Sequence, residues 1–230
     1  MDTRTSAIND TAGLLHILRL ASPTLPVGAY AYSQGMEHAT DQGWLTNEAE
    51  AREWMLGLMA HAISRVDVPL FSRLYRACEQ QQAEQYHYWN QYLLASRESR
   101  ELQDEDLHLG NALLQLLSDL GLQQATGLID QSYTYAAAFS LACVHWRIDL
   151  EPAVSAYVWA WLDNQVAAAV KLVPLGQTAG QRILLHCSER ISEVVSTGLA
   201  LDDDDIGFSS AALAIGSAQH EQQYSRLFRS

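Results

Sequence analysis

A chain of 230 residues in which 48% of the side chains are hydrophobic is long enough to bury a sizeable core. Its 14 Lys and Arg against 27 Asp and Glu leave a formal charge of -13, which excludes nucleic acid and anionic membrane as partners, because neutralising phosphates takes clustered basic side chains. Lys171 is the only lysine and lies between Val170 and Leu172, so the Gly-x-x-x-x-Gly-Lys loop that cradles nucleotide phosphates is excluded too.

In chain order, Met1 to Ser6 lead into no apolar stretch like a signal peptide, and residues 1–13 are expected to be disordered. Leu14, Ile17, Leu18 and Ala21 form a short helical stripe. Residues 22–35 then break the pattern. Pro23, Pro26, Gly28 and Gly35 forbid a continuous helix, while Tyr30, Tyr32 and the apolar neighbours around Ser33 and Gln34 forbid a loop that floats in solvent. Such a loop must pack on its own domain or on a partner.

Asn47 and Glu50 stand as a capping pair before Ala51, Trp54, Met55, Leu58, Met59 and Ala62, whose spacing is that of one helix face. Further stripes follow at Leu70, Phe71, Leu74, Tyr75 and Cys78, after Asp67 and Pro69; at Tyr86, Trp89, Leu93 and Leu94; and at Leu109, Leu113, Leu116, Leu117 and Leu120, which Gly121 ends. The charged run from Arg97 to Glu101 reads as an exposed helix face, or as a supply of carboxylates and guanidinia to a partner. Residues 133–146 and 153–173 are apolar on most faces and belong in the middle of a bundle. One more helix is expected over 181–196, in which Val194 and Val195 are too short a run to argue for a strand.

Lys171 sits just before Pro174, Gly176, Gln177, Thr178, Gly180 and Gln181. A cation there complements the carbonyls at a helix C-terminus. It can equally reach a carboxylate or phosphate on another protein. Asp202 to Asp205 read as a solvated linker, and the end of the chain sets Tyr224, Leu227 and Phe228 among Arg226 and Arg229. Aromatics with arginine are what interfaces enrich. No sustained period-two alternation occurs anywhere, so the fold class is all-α, a single-domain helical bundle with a Pro/Gly-rich N-terminal loop and a C-terminal tail. The expected division is a disordered segment over 1–13, a helical domain over 14–201, and an acidic linker with a partner-binding tail over 202–230.

Local catalytic and metal signatures are missing. The sequence has no Gly-x-Ser-x-Gly turn, no His-Glu-x-x-His and no Cys-x-x-Cys. Cys78, Cys143 and Cys187 are odd in number and widely spaced, the thiol usage of a reducing cytoplasm. Eight histidines are scattered along the chain, of which His220, beside Glu221, is the candidate metal ligand to test. No apolar run reaches the length that crosses a bilayer.

Five segments in order, Leu20 to Gly28, Tyr32 to Gly35, Leu94 to Glu101, Lys171 to Gln177 and Tyr224 to Ser230, together resemble the urease accessory protein UreF family, from about Leu14 onward. The resemblance implies a non-enzymatic cytoplasmic protein that dimerises. It also implies assembly with UreD, also called UreH, and the GTPase UreG on apo-urease, in a complex that inserts nickel. Nickel would be a cargo in transit, with no cofactor stably bound. In these terms Lys171, Pro174, Gly176, Gln177, Gln181, Tyr224, Arg226, Leu227, Phe228 and Arg229 become partner-binding candidates, and the surface of the loop from Pro23 to Gly35 meets UreG or the dimer mate. The competing readings are a metal-dependent hydrolase using dispersed His and carboxylate ligands, and a helical regulator with a sealed apolar cavity for a small molecule.

Overall fold

The computed structural model describes residues 11–230, and among them the regular elements are all helical. They are α1 (Thr11–Leu20), α2 (Met36–Asp41), α3 (Glu48–Leu58), α4 (Val68–Glu79), α5 (Ala83–Ala95), α6 (Arg100–Asp119), α7 (Gln123–Thr126), α8 (Tyr135–His145), α9 (Leu150–Leu172), α10 (Gln177–Ser188), α11 (Ile191–Leu199) and α12 (Ala211–His220). Single 3-10 turns occupy Ala29–Ala31 and Asp203–Asp205. The expected disorder of residues 1–10 lies outside the described residues, and α1 begins at Thr11, ahead of the expected boundary.

Helix α3 starts where its sequence says it should. The Asn47 side chain accepts from the Glu50 N–H at 3.1 Å, satisfying one orphan donor of the first turn, and the Glu50 carboxylate reaches back to the Thr46 N–H just ahead of the cap at 2.7 Å. Between α3 and α4 the helix widens into a π-helical stretch, Met59–Asp67. The cause is downstream: Pro69 has no N–H to return to the Arg65 carbonyl, and the ladder must open there. The Gly207 N–H fills that vacancy at 3.0 Å from the Arg65 oxygen.

The apolar segment α8 forms the centre, with every residue from Ala136 to Cys143 buried, and it packs between α4 and α6. Small alanines let the flanking helices close in. Phe71, Phe139, Tyr135 and Tyr157 stack around it with centroid separations of 5.2 to 6.0 Å. The long helix α9 crosses this core and carries α1, α10 and α11 on its other sides.

Four expectations need correction. The helix expected over 181–196 is two helices, α10 and α11, broken at Glu189 and Arg190. Helix α6 begins at Arg100, capped by the Ser99 side chain at 3.3 Å from the Leu102 N–H, well before the leucine stripe that marks it in the sequence. Arg97 is no exposed charge: its Nη2 and Nε reach Asp67 and Asp106 at 2.8 and 2.7 Å, and Tyr157 also donates to Asp67 at 3.1 Å. The linker and tail also contain a helix, α12, which Ser210 caps ahead of Ala-Ala-Leu-Ala-Ile. The aspartate run itself is exposed, and Arg73 pairs with Asp203 at 2.8 Å.

Candidate functional site

The tail does not hang free. After α12 the chain turns back and lays residues 226–230 against the loop that follows α1, 190 or more positions away in sequence. The Arg229 N–H donates to the Ala31 carbonyl at 2.8 Å, and the Ser33 N–H donates to the Ser230 carbonyl oxygen at 2.8 Å, with the Ser33 hydroxyl on the same oxygen at 2.6 Å. These bonds pair tail and loop as two short strands do, though neither is long enough to be one.

Three carboxylates fix the rest of the tail. Glu37 on α2 takes the Leu227 and Phe228 N–H groups, one on each oxygen, at 2.7 and 2.8 Å. Glu101 on α6 takes the Arg226 guanidinium at 2.6 Å. One turn further along α6, Glu105 takes the Ser230 hydroxyl at 2.7 Å on one oxygen and the Gln34 amide at 2.8 Å on the other. Burial pushes the Glu105 carboxyl up to about 7, with adjacent Asp106 adding to the effect and the bonds from Ser230 and Gln34 opposing it. Phe228 is 5% exposed, and the Lys171 ammonium sits 5.4 Å from its ring centroid.

Two glycines permit this approach. Gly28 and Gly35 both take positive φ, 84° and 76°. A Cβ on Gly35 would lie 2.8 Å from the Ser217 backbone nitrogen, so α12 reaches α2 only because that position is bare. Burial raises the Tyr32 phenol above its ordinary range, a hydrogen bond from Arg229 opposes that, and its hydroxyl meets His108 Nδ1 at 3.2 Å. Trp161 on α9 donates to the Gln34 side-chain oxygen at 2.8 Å, and Asn164 to the Tyr32 carbonyl at 3.2 Å.

His220 is fully buried, and both its ring nitrogens face carboxylates, Nδ1 to Glu101 at 2.7 Å and Nε2 to Glu37 at 3.1 Å. A histidine so engaged clamps two helices, and its geometry does not suit a metal ligand. Among the described residues no three His, Cys, Asp or Glu side chains surround a point that a metal ion would occupy. Burial also holds the three thiols above the ordinary range, Cys78 and Cys187 at about 11.

Most candidates from the sequence therefore converge: Tyr32, Ser33, Gln34, Gly35, Lys171, His220, Arg226, Leu227, Phe228 and Arg229 belong to one site. Phe228 faces its own domain, whereas Tyr224 and Leu227 stay exposed beside it, as does Tyr30 on the loop. Pro23 and Pro26 are exposed on the loop. Pro174, Gly176, Gln177 and Gln181 are exposed at the turn from α9 into α10, and the site contacts described here do not include them. Of the three anchors, sequence reasoning missed Glu37 and Glu105, and it placed Glu101 only in a charged run facing solvent or a partner. Only the i, i+4 spacing of the last two marks them as sharing a helix face.

Beneath the loop lies a cavity of about 160 Å³, walled by Leu25, Val27, Ile63 and Trp161 and also by Glu105 and the Asp67–Arg97–Asp106 trio. Charged groups in its wall set it apart from the sealed apolar chamber of a hydrophobic-ligand carrier.

An all-α bundle whose most elaborate site is a set of backbone and side-chain anchors for a peptide segment defines a class of protein that works by contact. The family model for UreF matches residues 45–188. The chain is 48% identical over 213 residues to the urease accessory protein UreF of Alkalilimnicola ehrlichii, covering 92% of this chain and 93% of that one. It is 43% identical to that of Teredinibacter turnerae over 94% and 98% of the two chains, and 40% identical to that of Chromohalobacter salexigens over the full length of both. The chain belongs to the UreF family of urease accessory proteins, and its role is accessory to urease maturation rather than catalytic.

Proposed function

We propose that the chain is a scaffold that joins UreD and the GTPase UreG on apo-urease and couples the nucleotide state of UreG to delivery of nickel into the urease site. Nickel is then cargo of the assembly, with no resident site on this chain. The observation that carries the reading is the single surface made by tail and loop. On a chain of charge -13, the cations Lys171, Arg226 and Arg229 and the exposed Tyr30, Tyr224 and Leu227 belong to the same few segments. Cations and aromatics gathered this way suit a protein partner that offers acidic groups and apolar pockets. UreD is assigned to the tail, and UreG or a second copy of the chain to the turn at Pro174, Gly176, Gln177 and Gln181.

Co-purification tests the assignment. A chain ending at Gln223 is expected to lose UreD, and Lys171→Ala to weaken the complex by the roughly 2–5 kcal/mol of a truncated interfacial charge contact. Retention of UreD by the shortened chain would remove the tail from that interface. Deleting the gene in a urease-positive host should leave urease protein present but poor in nickel, and a normal nickel content would refute the maturation role.

A further inference from the structure

We propose that the cavity beneath the 22–35 loop is a binding site for a small organic ammonium ion, a primary amine on an apolar body about the size of a benzene ring, held by Asp163 on α9. Such a site belongs to the chain itself, whichever proteins the chain joins.

On α9 the residues Ala160, Asp163, Asn164 and Ala167 stand at i, i+3, i+4 and i+7, so they share one helix face, and all four line the cavity. An alanine one turn before Asp163 and another one turn after it leave room around the carboxylate that longer side chains would fill. Asp163 is half-buried, and among the described residues it makes no hydrogen bond or ion pair. Burial alone lifts its carboxyl above the ordinary range, and no neighbour opposes that. A carboxylate drawn partly out of water without a partner is unfavourable, and a donor from outside the chain relieves it.

The other polar groups of the wall are already engaged. Arg97 is committed to Asp67 and Asp106, and Glu105 receives Ser230 and Gln34. The Trp161 indole donates to Gln34 at 2.8 Å, and the Asn164 amide nitrogen donates to the Tyr32 carbonyl at 3.2 Å. What remains on this face of α9 is acceptor: the Asp163 carboxylate and the Asn164 amide oxygen. An ammonium supplies three donors and a positive charge and carries no acceptor, which matches that remainder. The rings of Trp161, Tyr30 and Tyr157 also line the cavity, and aromatic rings attract cations. A divalent metal ion is the poorer occupant. One free carboxylate and one amide oxygen are too few ligands to replace its water, and among the described residues no three His, Cys, Asp or Glu side chains converge on a point.

Size and lining set the rest of the molecule. At about 160 Å³ the space compares with the roughly 150 Å³ of an engineered apolar cavity that takes up benzene. Leu25, Val27, Ile63 and Leu109 contribute apolar wall, which a bare ammonium leaves uncovered and a ring or short branched chain covers.

The test is a titration of the full chain with benzylamine at neutral pH, where the amine is protonated, followed by the indole N–H signal of Trp161 in proton NMR; Trp161→Phe assigns that signal among the six tryptophans. Saturable movement is expected, with an affinity about tenfold higher than for benzyl alcohol, which has the same ring and no charge. Asp163→Asn, which removes the charge and keeps the shape, should weaken benzylamine about tenfold and leave benzyl alcohol unchanged. Ala160→Leu, which fills the space and keeps the carboxylate, should abolish binding of both. Equal affinity of the native chain for benzyl alcohol and benzylamine overturns the proposal whether or not either variant folds. So does a folded Asp163→Asn chain that binds benzylamine as tightly as before, and so does a Trp161 signal that stays still at millimolar benzylamine. Tighter binding of Nα-acetyl-lysine methylamide than of benzylamine overturns it too, and would make the cavity a socket for a lysine side chain of a partner.

Discussion

Arg97 ties four stretches of chain together through two acids that are 30 and 9 residues away from it. It joins the end of the π-helical stretch to α6, and through Asp106 to the Tyr135 N–H at the start of α8 at 2.7 Å. Removing it leaves Asp67 and Asp106 buried without their cation, with the Tyr157 hydroxyl and the Tyr135 N–H as their remaining donors. Arg97→Ala is therefore expected to cost about 3–5 kcal/mol, measured as a lowered midpoint in urea with an unchanged slope. A cost below about 1 kcal/mol would mean that water already reaches the trio. The contrast with Asn47 and Glu50 shows what a sequence yields at this scale. A cap whose partners lie three or four residues apart can be read directly, whereas Arg97 looks like any surface arginine, because its partners are set by the fold. His220 is the same case. Its neighbour Glu221 suggested a ligand, but the carboxylates that take its nitrogens come from Glu37 and Glu101.

Helices were legible where an apolar stripe runs their whole length and obscure where tertiary contacts replace it. α3 and α4 carry their own periodicity, and α8 and α9 announce themselves by being apolar on most faces. The first turns of α6 do not, since they face the tail and the ion trio through Leu102, Glu105 and Asp106, and two of those three are acids. The break between α10 and α11 has no proline or glycine to announce it. At the element scale the closest contact is Gly110, where α6 meets the segment leading into α8. A Cβ there would stand 2.1 Å from the Tyr133 carbonyl oxygen and 2.7 Å from the Thr134 carbonyl carbon. All of the obstructing atoms are backbone, so no side chain can rotate away. Gly110→Ala must push α6 off α8 or bend the 133–134 turn, and it is expected to destabilise by about 1–3 kcal/mol or more despite the better helix propensity of alanine. Thermal unfolding checks this, and a variant as stable as the native chain would show that the turn yields freely.

For the molecule as a whole, the question is whether the tail belongs to the fold or is a guest on it. The site was half legible: both of its segments stand out in the sequence, as an apolar Pro/Gly loop and a basic aromatic end, but nothing local says that they meet. Energetics favour the guest. Burying Phe228 contributes about 1.5–3 kcal/mol, and the backbone bonds and the Arg226 pair add to it, while fixing each tail residue costs about 1–2 kcal/mol. The lysine adds little, because an exposed ammonium over a ring is worth about 0.5–1 kcal/mol, so Lys171→Ala should shift docking only a few-fold. These terms nearly cancel, and of residues 224–230 the main core takes in only Phe228, at its edge beside Lys171. A chain ending at Gln223 is accordingly expected to melt within a few degrees of the full chain, as a change of about 1 kcal/mol or less requires. Amide exchange should rise sharply for Ser33, whose N–H has Ser230 as its acceptor, and stay unchanged across α8. Wholesale loss of the melting transition in the shortened chain would instead make the tail an integral part of the core, and no docking arm could then be built from it.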